Sequence, residues 1–538
     1  MEDNLIFRGE SYWPPHILDG LVSVVYNGQK YNSYTSNAIN LYESLRQSAF
    51  HFPDKCCIID DSGSSYTFRQ FLELVDNFSN ILFHQYHVSK GAHVALLMYN
   101  SIEFCVSFYA IIKLRGVAIP LPTKYRKNEI FSLIEKSALE GLICDKEFYE
   151  WFDHDFDARP YFLLKVDSGS HLYSLPKSRE RQAPNPTPAS EDVAVIMFTS
   201  GTTSQSKGVM MSNFNIMHAL NVYQRIFEIS PNDKTMIPIP IYHVTGLIAL
   251  LGLFIFAGGC IHLHRTFNAN RILSDVKNHS ITFLHGSPTV FSLLLDYKDE
   301  YPRLPSLRIL ACGSANMPRK KIRDLHIWLP TMKFHTVYGL TETASPATIF
   351  PDDAAISPHI GSSGHPIPGT SFKICDEKGT PINAETIGSI YLSGTVVLPN
   401  YFNYEADTLK DGWLDTGDLG YFDKEGYLYI VDRKKDMINR GGEKIWSFDV
   451  ENALYSIPGI EEAAVVGIPD EKYGEVPAAL VTIEKSSMLT QTRIQNILKG
   501  KLANFQIPVK ILIVDNLPFT PNSKVDKRYI RQLLLKNS

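Results

Sequence analysis

The chain has 538 residues, too many for one hydrophobic core, so at least two domains are expected. With 44% hydrophobic and 20% charged residues it has the make-up of a globular protein, not of a disordered one. A formal net charge of −5 excludes the basic excess of a nucleic-acid binder, so any anionic ligand must be held by local groups.

The N-terminus, Met1-Glu2-Asp3-Asn4, lacks the basic and apolar regions of a signal peptide, and Lys536-Asn537-Ser538 is not a peroxisomal address. From residue 56 to 338, short apolar runs alternate with helical patterns. Strands are predicted over 57–59, 94–98, 117–119, 194–198, 281–284 and 307–310, and helices over 68–86, 102–114 and 129–138. Continuous apolar strands between helices argue for largely parallel sheets covered on both faces. Residues 176–192, rich in Pro, Ser and charge, read as a surface linker. The longest apolar run, 246–260, is shorter than the ~20 residues a membrane helix needs and reads as a buried helix. Between 361 and 433 helical periodicity fades, and Asp423-Lys424-Glu425-Gly426 marks a turn between two short strands, which predicts a small β-rich subdomain. The tail carries strands over 462–468, 478–483 and 510–514 and a helix over 491–503, enough for a second domain. The cysteines (56, 57, 105, 144, 260, 312 and 375) have no CxxC or Cys/His ligand spacing. They suit buried thiols in a reducing compartment, and a cytoplasmic location is expected.

Four segments carry chemistry. In the first, Phe198-Thr199-Ser200-Gly201-Thr202-Thr203-Ser204-Gln205-Ser206-Lys207-Gly208-Val209 follows an apolar strand, and Ser212 is a good N-cap for a helix. Strand, hydroxyl-rich loop, lysine and helix would make a polyphosphate cradle. It is not a Walker A loop, because Lys207 precedes the closing glycine and no Ser or Thr follows it. A plain surface loop is the bland alternative. The second, Val337-Tyr338-Gly339-Leu340-Thr341-Glu342-Thr343, offers a flat ring for a purine, a phosphate donor in Thr341 and a hard oxygen ligand for Mg²⁺ in Glu342. A strand-ending turn with a core tyrosine would look the same. In the third, Gly412-Trp413-Leu414-Asp415-Thr416-Gly417-Asp418 precedes Asp432-Arg433. Asp418 could take both ribose hydroxyls and Arg433 could add a donor, or the segment is an Asp-Gly hairpin turn. The fourth surrounds Lys524 (Pro518 to Lys527), which alone would pass for a solvated tail lysine.

In this order and spacing the four segments resemble the adenylate-forming (AMP-binding) superfamily of acyl-CoA synthetases, luciferases and adenylation enzymes, over nearly the whole chain. The resemblance implies an α/β fold. A large domain (1–434) would hold two parallel-rich α/β subdomains and a small β-barrel-like subdomain (about 361–433). A small mobile α+β domain (435–538) would follow, hinged at Lys435. It implies ATP and Mg²⁺, with coenzyme A as the acceptor substrate. Thr199, Ser200, Gly201, Thr202, Thr203 and Lys207 would hold the β- and γ-phosphates. Gly313, Ser314, Ala315, Tyr338 and Gly339 would surround adenine. Thr341 would touch the α-phosphate, Glu342 would bind Mg²⁺, and Asp418 and Arg433 would hold the ribose. Lys524 would bridge the substrate carboxylate and the α-phosphate, so the catalytic set is Lys524, Glu342, Thr341 and Lys207. Gly441, Gly442, Glu443 and Lys444 would shape the CoA channel after a domain swing. Ser204 and Ser206 stand where the family usually has Gly and Pro, and Ser523 replaces a usual glycine.

The resemblance puts the acid pocket near 240–246, with His243, Val244, Gly246, Gly313 and Thr336 in its walls. No Arg or Lys occupies 241–247, and 238–241 offers no carboxylate for an α-amine. A fatty or aryl monocarboxylic acid is therefore expected. Two alternatives stand beside the CoA ligase: an adenylation enzyme loading a separate acyl or aryl carrier protein, and a catalytically silent nucleotide-binding protein.

Overall fold

The computed structural model describes residues 5–35, 38–152, 162–166, 183–199, 206–520 and 524–536. Two large sheets form its body. In one, strands Val117–Pro120, His93–Leu97, Gly141–Asp145 and Phe162–Val166 run parallel beside Val193–Thr199. Antiparallel strands Lys207–Ser212 and Tyr401–Phe402 complete that edge. In the other, Lys333–Tyr338, Ile309–Cys312, Phe283–Gly286, Lys234–Ile237, Cys260–Leu263 and Cys56–Ile59 are parallel neighbours. The expected parallel sheets are present, and their cover explains the uninterrupted apolar strands. Every residue of helix Ile102–Lys113 is buried, packed against helices Leu41–His51 and Phe68–His84 and strands His93–Leu97 and Val117–Pro120, as a helix apolar all round must be. Its neighbour Phe68–His84 starts at a capping box, with the Thr67 hydroxyl accepting from Gln70 N.

The 246–260 run is buried but shorter as a helix than its composition suggests. It forms a π-helix over Thr245–Gly252 and an α-helical turn over Leu253–Phe256, and Cys260 already begins a strand. Among the described residues no helix is long and apolar enough to cross a membrane. All seven cysteines are free thiols.

The third sheet is antiparallel and β-rich, built on Thr370–Cys375, Gly388–Gly394, Trp413–Phe422 and Leu428–Arg433. Phe7–Arg8 adds to its edge, and Phe7 stacks on Phe422 with centroids 3.9 Å apart. Beyond Arg433 the chain turns and builds a five-stranded sheet with its own apolar core, centred on Val450, Leu454, Val465, Val481 and Ile494. Strands Ile460–Asp470 and Gly474–Ile483 form its central hairpin. Helices Ser447–Tyr455, Gln491–Leu498 and Lys527–Lys536 pack with it.

Candidate active site

Ligands of parallel α/β sheets bind beyond the carboxyl ends of the strands, and two of the four predicted segments start there. Strand Val193–Thr199 delivers Thr199. Ser200, Gly201, Thr202 and Thr203 lie outside the described residues, as does Ser204, and the chain returns at Ser206 and Lys207. The expected helix with its Ser212 cap is present, but a strand comes between the lysine and that cap. Lys207–Ser212 is a strand, antiparallel to Val193–Thr199 with Thr199 opposite Lys207. The helix starts only at Asn213, where the Ser212 hydroxyl accepts from Asn215 N at 3.3 Å. Val209-Met210-Met211 is an apolar run that the sheet edge takes up before the cap can act. The two strands that flank the loop are thus antiparallel neighbours.

Strand Lys333–Tyr338 carries Thr336 and Tyr338 to the same edge. Gly339 lies so close to the Ser345 carbonyl that a methyl group there would overlap it, which accounts for glycine at this turn. A 3-10 turn over Thr341–Thr343 follows, leaving Thr341 and Glu342 half-buried. Glu342 Oε1 accepts from the Tyr401 hydroxyl at 3.2 Å. Burial raises the Glu342 carboxyl, while Tyr401, Lys207 and Lys524 pull it back down. A single hard carboxylate beside cationic groups fits Mg²⁺ arriving with a polyphosphate that supplies most of its ligands.

The Tyr338 hydroxyl donates to Asp418 Oδ2 at 2.8 Å. Asp418 is buried and sits opposite Arg433 on the neighbouring strand, with Arg433 Nε 3.5 Å from Asp418 Oδ1. Burial pushes the Asp418 carboxyl up, and Arg433 is the largest force restraining it. The Asp-Gly hairpin turn exists, at Asp411–Gly412 between Leu409–Lys410 and Trp413–Phe422. Gly313 follows strand Ile309–Cys312 and is buried, while Ser314 and Ala315 are exposed.

His243 sits at the turn before the π-helix, its backbone N–H donating to the Pro240 carbonyl at 3.2 Å. Its Nε2 is buried without a partner. Burial, then Lys524 and Lys124, push its pKa down to about 3, so the ring is neutral. Lys124 bears on His243 from the loop after Val117–Pro120, a neighbour that no local pattern announces. Val244 and Thr336 are half-buried. Gly246 is buried where a Cβ would stand 2.7 Å from the Pro240 oxygen and 2.9 Å from Ile241 Cα, so it brings backbone to this wall.

Lys524 reaches this cleft from the C-terminal unit. Its carbonyl accepts from Thr520 N–H at 2.7 Å, and Ser523 lies outside the described residues. Crowding by protein, then Arg433, lowers the Lys524 pKa to about 8 against the opposing pull of Asp418 and Glu342. Its side chain nonetheless stays open to solvent, as a group lining a cleft would. Lys435 is exposed in the turn after Arg433, where Asp436 N–H and Met437 N–H both donate to the Arg433 carbonyl. Gly441, Gly442, Glu443 and Lys444 are exposed on the hairpin of Ile438–Arg440 and Glu443–Ile445. There Gly441 N–H donates to the Tyr473 carbonyl and Lys444 pairs with Glu377 at 2.8 Å. In this arrangement Lys524 faces the cleft and that hairpin does not.

Comparison with known proteins agrees with this geometry. The family model described as AMP-binding enzyme matches residues 45–402, and that described as AMP-binding enzyme C-terminal domain matches 449–524. The chain belongs to the AMP-binding enzyme family. Among relatives of these AMP-binding enzymes, a probable CoA ligase, CCL9, of Humulus lupulus is 30% identical over 93% of this chain and 97% of its own. The 2-succinylbenzoate–CoA ligase of Bacillus cereus is 31% identical over 91% and 98%. The crystal structure of ATP-bound MatB from Rhodopseudomonas palustris superimposes with a TM-score of 0.84 at 26% identity, over 92% of this chain and 98% of that one. The chain is accordingly an AMP-forming acid–thiol ligase that uses ATP, CoA and the cofactor Mg²⁺.

Proposed function

We propose that this ligase activates a fatty or aryl monocarboxylic acid as its acyl-AMP and then forms the CoA thioester. Residues 1–434 would act as the large domain, and 435–538 as a small domain turning about Lys435. The observation that carries the proposal is the meeting of Lys524, Glu342, Asp418 and His243 in one cleft. An ionised carboxylate attacks the α-phosphorus of ATP and pyrophosphate leaves, so positioning and charge neutralisation dominate the step. Lys524 supplies positive charge between the carboxylate and the α-phosphate. Lys207 and the 199–208 loop hold the leaving phosphates, Thr341 donates to the α-phosphate, and Asp418 and Arg433 hold the ribose. Tyr338, Gly339 and the Gly313-Ser314-Ala315 turn border the base. Glu342 would hold Mg²⁺, which would supply charge neutralisation for the leaving pyrophosphate.

No base is needed for that half-reaction, because the acid is already ionised at neutral pH. For the second half Lys524 must withdraw so that a thiol can approach the acyl carbonyl, and Gly441, Gly442, Glu443 and Lys444 would replace it. The neutral His243 ring, with apolar Ile239 and Val244 nearby, supports an acid with an uncharged body. A cytoplasmic setting, in keeping with seven free thiols, belongs to the same proposal.

The test is acid-dependent ATP–pyrophosphate exchange over a panel of fatty, aryl, dicarboxylic and amino acids, with CoA or a carrier protein as acceptor. Exchange with a fatty or aryl acid and AMP release accelerated by CoA are expected. Preference for a dicarboxylate would transfer the specificity to Lys124, and acceleration by a carrier protein alone would displace CoA.

A further inference from the structure

Two tyrosines that the sequence motifs pass over join Lys207 to Glu342. Tyr401–Phe402 is a two-residue strand on the outer edge of the Lys207–Ser212 strand, with Tyr401 opposite Val209 and Phe402 opposite Gly208. From there the Tyr401 hydroxyl donates to Glu342 Oε1 at 3.2 Å. The Leu398 N–H donates to the Glu342 carbonyl at 2.8 Å, so the same segment also grips the backbone of that turn. Lys207 Nζ lies 5.2 Å from the Tyr401 ring centroid and 4.8 Å from that of Tyr404. The two rings meet edge-on at 6.3 Å. Tyr401 is 7% exposed and Tyr404 38%, so one ring is fixed in the wall and the other borders solvent.

We propose that Tyr401 is a positioning residue of the adenylation site. Its hydroxyl sets the Glu342 carboxylate for Mg²⁺, and its ring, with Tyr404, holds the Lys207 ammonium ready for the phosphates. The proposal rests on the roles given above to Glu342 and Lys207. A donor to a metal-binding carboxylate fixes the direction of its free oxygen, and losing such a partner typically costs about 10- to 100-fold in metal affinity or activity. A cation within about 6 Å of an aromatic face is attracted to it and gives up less freedom when a phosphate arrives. The two jobs are separable: the hydroxyl serves Glu342, whereas the rings serve Lys207.

The experiment uses the full chain and its Tyr401→Phe and Tyr404→Leu variants. ATP binding is followed by calorimetry across a Mg²⁺ titration without acid or CoA, and pyrophosphate exchange is followed in parallel. Tyr401→Phe keeps the ring, so it should raise the Mg²⁺ concentration for half-maximal ATP binding about 10-fold. Saturating Mg²⁺ should return exchange to near the unaltered rate. Tyr404→Leu should leave the Mg²⁺ requirement alone and weaken ATP binding about threefold at saturating Mg²⁺. A Tyr401→Phe titration that superimposes on that of the unaltered chain, with exchange intact, would overturn the inference and leave the ligase assignment standing. If the unaltered chain bound no ATP at any Mg²⁺ concentration, both would fall.

Discussion

The Tyr338 hydroxyl and Asp418 Oδ2 are 2.8 Å apart although 80 residues separate them in the chain. This bond ties the end of the parallel sheet to the β-rich subdomain at the point where the ribose is proposed to lie. Asp418→Ala would remove the ribose acceptor and leave both the Tyr338 hydroxyl and Arg433 without their partner. Hydrogen bonds to a charged group contribute about 1.5–3 kcal/mol, so the KM for ATP should rise about 10- to 100-fold. Tyr338→Phe, which removes only the donor, should raise it a few-fold. Exchange assays at varied ATP would separate the two, and equal effects would contradict the ribose assignment.

Lys524 should write itself into the pH profile. Its pKa is lowered to about 8, and the protonated form is the one that neutralises charge. The cation is present below that value and lost as pH rises through it. Since kcat/KM reports the free enzyme, kcat/KM for exchange should fall about tenfold per pH unit above about 8. His243, pushed down to about 3, should add no limb between pH 5 and 8. A profile flat to pH 10 would remove Lys524 from the step.

Gly246→Ala tests the wall of the acid pocket. A Cβ 2.7 Å from the Pro240 oxygen and 2.9 Å from Ile241 Cα meets backbone that cannot swing away. Overpacking of this kind costs about 1–3 kcal/mol. The variant should melt lower and bind the acid more weakly, with the KM for ATP changed little. Unaltered acid affinity would put the pocket elsewhere.

Lys435→Pro tests the hinge. The turn there is short, and a proline restricts the preceding residue as well as its own φ. Adenylation should persist while thioester formation slows, read as CoA-dependent AMP release. Loss of both halves together would point to a static role for the turn.

Much of this was legible in the chain. Apolar runs between helical patterns announced both parallel sheets, because strands covered on two faces have no polar side to display. Asp418 and Arg433 were readable as residues that could act together, and the sheet sets them opposite each other. The strand Lys207–Ser212 was not legible, since its six residues lead straight into the Ser212 cap and read as the approach to a helix. Cys260 was absorbed into an apolar run whose helix ends at Phe256. Tyr401 carried no signal, because its partner Glu342 lies 59 residues away and its own strand has only two residues. Lys124 was missed for a related reason: its bearing on His243 exists only once two loops fold together.

The most direct test of the central claim separates the half-reactions of Lys524→Ala, using the acid that the exchange panel identifies. Pyrophosphate exchange should fall at least about 100-fold, the scale of losing one preorganised electrostatic group. Thioester formation from pre-made acyl-AMP and CoA should proceed at close to the unaltered rate. Equal loss in both halves, or exchange that survives the substitution, would contradict the assignment of Lys524 as the cation of adenylation alone.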